Sequence, residues 1–157
     1  MGKKYKVMLI SGGFDPVHKG HIEALNRGKE MADELWVGLN SDHWLKNKKG
    51  KFFMDNEERK FIIENLKSVD YVYVMNPRIP DDTTALDFIE HSVNRYKRLY
   101  GEIQSGSIAF GNGGDRGPTE NLETETCRSL GIDLVWGLGD KVQSSSWLLE
   151  KYSNSAT

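Results

Sequence analysis

The sequence predicts a three-layer α/β domain in which a mostly parallel, five-stranded sheet is covered by helices on both faces. Two observations predict it. Short apolar runs alternate with helix-period segments along all 157 residues, the pattern of strand–helix–strand crossovers. Several of these runs, such as Val7-Met8-Leu9-Ile10, are apolar without polar alternation, which suits strands buried on both faces. The length agrees, because a chain of about 150 residues buries roughly 70 % of its unfolded surface in a single core.

The expected strands are Tyr5–Ile10, Leu35–Leu39, Tyr71–Met75, Ser107–Phe110 and Ile132–Trp136. The first helix is expected over about Lys19 to Ala32, with Ile22 and Leu25 on one face. The second begins at Asp55, an N-cap residue with Glu58 three positions on, and is expected to bury Ile62, Leu66 and Phe61. A third follows Asp81-Asp82 and carries Leu86, Ile89, Val93, Tyr96 and Tyr100 at spacings of three and four. A fourth starts near Pro118 and stops before Gly131. The last follows Ser144-Ser145-Ser146 and presents Trp147, Leu148 and Tyr152. This is a Rossmann-like arrangement: one domain over 1–152 and a flexible tail over 153–157. Sheets of this kind bind ligands outside the carboxyl ends of their strands, where the strand order reverses.

Composition narrows the function classes. With 21 Lys+Arg against 23 Asp+Glu, the formal charge of −2 gives no electrostatic footprint for nucleic acid. No apolar run approaches the about 20 residues of a membrane span, so no membrane partner is expected. The opening MGKKYK is basic but lacks a signal peptide's apolar stretch, and Lys6 stands where a myristoylation motif needs Ser or Thr. A single Cys127 cannot form an internal disulfide. A cytoplasmic location is therefore expected.

The chemistry is expected directly after the first strand, in Ser11-Gly12-Gly13-Phe14-Asp15-Pro16-Val17-His18-Lys19-Gly20-His21. Paired glycines let backbone turn and approach a ligand. The helix N-terminus that follows offers free amide N–H groups and partial positive charge to phosphate. His18 and His21, three apart at that terminus, can point to one side as a pair of donors. Zinc needs three or four protein ligands, so no metal site is expected from two histidines and a distant Cys127. The loop is neither a Walker A sequence nor a Gly-x-Gly-x-x-Gly dinucleotide motif.

Gly-Gly-Phe-Asp-Pro-Val-His-Lys-Gly-His resembles the G-x-F-D-x-x-H-x-G-H signature of the cytidylyltransferase-like nucleotidyltransferases, with Phe, Asp and both His correctly spaced. Similarity continues through Asn40-Ser41-Asp42, Glu58-Arg59-Lys60, Val69-Asp70, Gly113-Gly114-Asp115 and Ser144-Ser145-Ser146, and is weakest between Asn76 and Gln104. Among its members the sequence looks most like glycerol-3-phosphate cytidylyltransferase and heptose-phosphate adenylyltransferase. The resemblance implies transfer of the NMP part of an NTP, ATP or CTP, to a sugar- or polyol-phosphate, with release of pyrophosphate. Mg²⁺ would be bound through the NTP phosphates. A pantetheine-phosphate or nicotinamide-mononucleotide adenylyltransferase, and a nucleotide-binding regulatory module without turnover, are the alternatives. A homodimer is one implied assembly state.

The resemblance also implies roles. His18, His21 and Lys48 would be catalytic. Gly13, Phe14, Gly111, Gly113, Asp115, Ser144, Ser145 and Ser146 would bind nucleotide. Lys51, Arg59 and Lys141 would meet substrate phosphates. Lys46, Lys48, Lys49 and Lys51 are read as a mobile lysine loop, most of it solvated surface, from which one lysine, Lys48, closes over substrate. Arg59 has a second reading, as a surface partner of an acidic residue in its own helix. The family usually has an arginine ahead of the serine element. Here Gly139-Asp140-Lys141-Val142-Gln143 offers only Lys141, a point charge rather than a bidentate fork. Arg78 and Thr84 are candidate acceptor contacts. Trp36, Trp44, Trp136 and Trp147 are assigned to packing, and His43 and His91 receive no role.

Overall fold

A computed structural model of the chain describes residues 3–76, 85–112 and 122–138. Its elements are β1 (Tyr5–Gly12), α1 (Lys19–Glu30), β2 (Ala32–Leu39), α2 (Asp42–Lys49), α3 (Asn56–Glu64), β3 (Tyr71–Val74), α4 (Leu86–Tyr100), β4 (Ile108–Gly111), α5 (Leu122–Ser129) and β5 (Asp133–Val135). The five strands form one sheet in the order β3-β2-β1-β4-β5. Every pair is parallel, which confirms the expected Rossmann-like α/β class. The helix after the serine triplet and the tail over 153–157 lie outside the described residues.

The unalternated strands are buried as their composition requires: Val7, Met8 and Leu9 of β1 and Leu35, Trp36 and Val37 of β2 have no exposed surface. Side chains from opposite faces of β1 enter two cores. Met8 and Ile10 join Leu25 of α1 and Ile63 of α3 on one face. Val7 and Leu9 join Phe88, Ile89, Val93 and Tyr96 of α4 and Cys127 of α5 on the other. Gly38 marks how closely α4 approaches, since a Cβ there would lie 2.5 Å from the Phe88 ring.

Helix faces follow the pattern with corrections in α2, α3 and α4. In α3 the buried residues are Arg59 and Ile63, four apart, so Ile62 is only half-buried and Phe61 falls on the outer face, 69 % exposed. The segment expected as a mobile lysine loop is in part a helix, α2, capped by the Ser41 hydroxyl accepting from Trp44 N–H (3.1 Å) and closed by Gly50 at φ +82°. Ser41 before the first turn and Gly50 after the last are the signals that mark it. Only Lys51 of the named lysines follows that helix. Tyr96 belongs to the core, whereas Tyr100 is exposed and hydrogen-bonds Glu34. Among the described residues no helix is long and apolar enough to cross a membrane.

Strand order reverses between β1 and β4, so the loops after these two strands flank the expected ligand crevice. Ile10 and Gly111 are register partners there.

Candidate active site

The loop from β1 to α1 is held by three side chains with different tasks. Phe14 has φ +51°, a left-handed conformation that costs a non-glycine residue about 1 kcal/mol, and burial of its ring offsets that cost. The ring meets His21 edge-on, with centroids 4.8 Å apart. Asp15, also buried, accepts from the main-chain N–H groups of Phe53 and Met54 at 2.6 Å each. Its two oxygens thus tie this loop to the connection between α2 and α3. His18 is the N-cap of α1, in extended backbone conformation.

The structure brings His18 and His21 together as a stacked pair, ring centroids 3.8 Å apart and inclined by 24°. His18 Nδ1 accepts from Gly20 N–H (3.1 Å), and His21 Nδ1 accepts from His18 N–H (3.2 Å). The two imidazoles thereby do the work that Ser and Glu do in an ordinary capping box. An Nδ1 that accepts carries no proton, so each neutral ring holds its proton on Nε2. Burial lowers the His18 pKa below the usual 6.5, which favours this neutral form. Two Nε2–H donors therefore stand at the N-terminus of a 12-residue helix, where the helix dipole already attracts anions. Metal ligation through Nε2 would force a proton onto each Nδ1 and against a backbone N–H. Among the described residues no group of three or more His, Cys, Asp or Glu could hold a metal ion.

Arg59 departs from both of its expected roles. It is fully buried rather than at the surface, and its guanidinium is committed inside the protein rather than free for a substrate phosphate. Nε donates to Met54 O (2.9 Å), and Nη1 donates to Gly13 O (2.9 Å) and Asn40 O (2.6 Å). Nη2 donates to Asp42 Oδ1 (2.8 Å) and Asn56 Oδ1 (2.9 Å). These bonds use all five N–H donors of the side chain. They join the loop after β1, the loop after β2 and the start of α3. Asn40 N–H to Gly12 O (3.0 Å) and Asp42 N–H to Asn56 Oδ1 (2.9 Å) close the same network. Asp15 and Asn56 organise the site without being expected to: Asp15 is visible within the motif, whereas Asn56 looks like any residue of a first helical turn.

On the other side of the crevice, Gly111 ends β4 under tight packing. A Cβ there would lie 2.4 Å from Leu138 Cδ1 and 3.0 Å from Met8 Sδ. Asn112 ties this end to β5 through Val135 O (2.8 Å) and Leu138 N–H (3.0 Å). Gly13 sits against Leu45 of α2, with 3.1 Å available to a Cβ. Lys51 is exposed and makes no ion pair among the described residues. The Lys48 side chain, Gly113, Asp115, Lys141, Ser144, Ser145 and Ser146, with Arg78 and Thr84, lie outside the described residues.

Comparison with known proteins agrees with this sheet. Residues 9–148 match the family model of cytidylyltransferase-like proteins. The chain belongs to that family. It is 39 % identical over 79 residues to the bifunctional protein HldE of Helicobacter acinonychis, a match covering 49 % of this chain and 17 % of that protein. The HldE of Wolinella succinogenes is 38 % identical over 77 residues, covering 48 % and 16 %. The chain thus matches less than a fifth of the length of these curated relatives. Among solved structures, a lipopolysaccharide core biosynthesis protein from Thermoplasma volcanium superposes with a TM-score of 0.58 at 22 % identity, over 84 % of this chain and 93 % of that one. A bifunctional NMN adenylyltransferase/ADP ribose pyrophosphatase from Francisella tularensis, complexed with AMP and a Mn ion, superposes with a TM-score of 0.62 at 19 % identity, over 96 % and 42 %. At these identities the two structures speak for the fold of the cytidylyltransferase-like domain.

Proposed function

We propose that this cytidylyltransferase-like domain is a nucleotidyltransferase that moves the NMP part of ATP or CTP onto the phosphate of a small sugar- or polyol-phosphate. The observation that carries the reading is the engagement of both Nδ1 atoms with backbone. It puts the proton of each neutral ring on Nε2, at the N-terminus of α1 and beside the switch point of the sheet. In the reaction an acceptor phosphate oxygen attacks the α-phosphorus in line. The new P–O bond forms as the bond from the α-phosphorus to the bridging oxygen breaks, and pyrophosphate leaves with that electron pair. A phosphate acceptor is already ionised near neutral pH, so positioning and charge stabilisation suffice. His18 and His21 would donate to phosphate oxygens as negative charge builds there. Lys48 and Lys51 supply further cations, and the glycine-rich loop after β4 and the serine triplet complete the nucleotide contacts. Mg²⁺ would enter as part of the NTP substrate.

Pyrophosphate release with ATP, CTP, GTP and UTP against a panel of phosphorylated acceptors tests the reading. Release that needs both an NTP and one acceptor class is expected. NTP binding without release across the panel would instead mark a regulatory nucleotide-binding module, and no thermal shift with any NTP–Mg²⁺ would remove both readings.

A further inference from the structure

The backbone of the motif loop leaves strand geometry at one peptide. Along a strand, successive carbonyls face opposite neighbours. Gly12 O accepts from Asn40 N–H (3.0 Å), on the β2 side of β1. A continuing strand would turn the next carbonyl, that of Gly13, toward β4. Instead Gly13 O accepts from Arg59 Nη1 (2.9 Å), the nitrogen that also donates to Asn40 O (2.6 Å). Both carbonyls therefore face the loop after β2. A trans peptide is planar, with its C=O and N–H pointing in opposite directions. The N–H groups of Gly13 and Phe14 thus both point away from that loop, to the side of β1 where β4 lies and the strand order reverses. Among the described residues neither of them donates to a hydrogen-bond partner. Consecutive amides on one side, leading into a left-handed residue (Phe14, φ +51°), make a concavity for an anion.

Arg59 can hold that carbonyl because its own side chain is fixed. It is fully buried. Its Nε donates to Met54 O, while Asp15 latches the Met54 N–H, and its Nη2 donates to Asp42 and Asn56. We propose that Arg59 is a positioning residue for nucleotidyl transfer: it acts through the Gly13–Phe14 peptide, turning the Phe14 N–H toward the polyphosphate of the nucleotide without touching the phosphate itself. The inference rests on the nucleotidyl-transfer reading of the site and deepens it. A donor whose direction is set before the substrate arrives needs no reorganisation as charge builds. Without the guanidinium, the Gly13 carbonyl can swing to its strand orientation and carry the Phe14 N–H away with it.

The test uses the full chain with Arg59→Met, Arg59→Lys and Val93→Ala, circular dichroism confirming that each is folded. Val93 lies in the core on the opposite face of the sheet, so its truncation lowers stability without touching the loop. Should Arg59→Met fail to fold, Arg59→Lys, which keeps the charge but not the fork, carries the test. Tripolyphosphate is the probe, because it needs neither a base nor an acceptor, and amide NMR spectra read it at Phe14. In the parent and in Val93→Ala the Phe14 amide resonance is expected to shift, with dissociation constants within about 2-fold of each other. Both Arg59 variants should lose that shift and bind tripolyphosphate on the order of 10-fold more weakly, the worth of one oriented hydrogen bond to a charged group. A Phe14 amide that does not respond in the parent overturns the positioning role. So does an affinity loss in Val93→Ala equal to that in the Arg59 variants, or full affinity in Arg59→Lys. The expected shifts without pyrophosphate release from any NTP and acceptor support the positioning role and count against nucleotidyl transfer.

Discussion

Two histidine sites in this molecule use one side chain in opposite ways. In the motif loop, His18 and His21 stack on each other and spend Nδ1 on backbone N–H groups. On the opposite face, His91 of α4 stacks on Tyr73 with centroids 3.8 Å apart, and its Nε2 is 2.7 Å from Tyr71 Oη. Burial, and then the Arg98 cation, lower the His91 pKa from the usual 6.5. Burial lowers the His18 pKa as well, yet the ring nitrogen that the protein engages is Nδ1 in the motif pair and Nε2 in His91. The direction of the pKa shift does not separate the two sites; the ring nitrogen that is engaged does.

The comparison can be broken at several points, beginning with what holds the motif loop. Arg59→Met deletes the guanidinium that joins Gly13, Asn40, Asp42, Met54 and Asn56. A loss of about 3 kcal/mol in urea unfolding is expected, the low end for a broken buried pair because the Asp42 side chain keeps 27 % exposure. Full stability in this variant would mean the network is ornamental.

Replacing His18 or His21 by Asn keeps an oxygen where Nδ1 stands and removes the Nε2–H donor. Turnover should fall by about 100–1,000-fold, with the unfolding midpoint close to that of the parent. The same exchange at His91 should leave turnover within about 2-fold and cost about 1 kcal/mol of stability, the worth of the Tyr71 hydrogen bond. Equal kinetic losses at all three positions would erase the distinction.

Asp15→Asn puts an NH₂ group against a backbone N–H and should cost about 1–3 kcal/mol. Main-chain hydrogen exchange at Phe53 and Met54 reads it directly, and unchanged protection there would contradict the latch.

The smallest effect is in the pH dependence. A pKa lowered by folding means that the unfolded state takes up the proton first. The contribution of His18 is intact above the ordinary value of 6.5 and is lost as pH falls through its lower folded value. Protonated Nδ1 would also face Gly20 N–H. An acidic limb of kcat/KM below pH 6.5 is therefore expected, and it should flatten in His18→Asn.

Much of the fold was legible because strand burial and strand composition coincide: Val7-Met8-Leu9-Ile10, short, unalternated and followed by Gly12-Gly13, suits a covered strand. The histidine pair was equally legible, since a helix start fixes two residues three apart on one side. Phe61 was misread because an apolar triplet, Phe61-Ile62-Ile63, does not say which member faces inward. Helix α2 was hidden by its lysines, although Ser41 and Gly50 bracket it. Arg59 was beyond reach for a different reason. Its acceptors come from several separate segments and are largely main-chain carbonyls, which have no signature in the sequence.

The Asp15 latch has a consequence for how such a domain diversifies. It grips peptide amides and is blind to the side chains they carry. The side chains at 53 and 54 can therefore change through many alternatives while the loop after β1 keeps its shape, so sequence can drift at one end of that grip without disturbing the motif at the other.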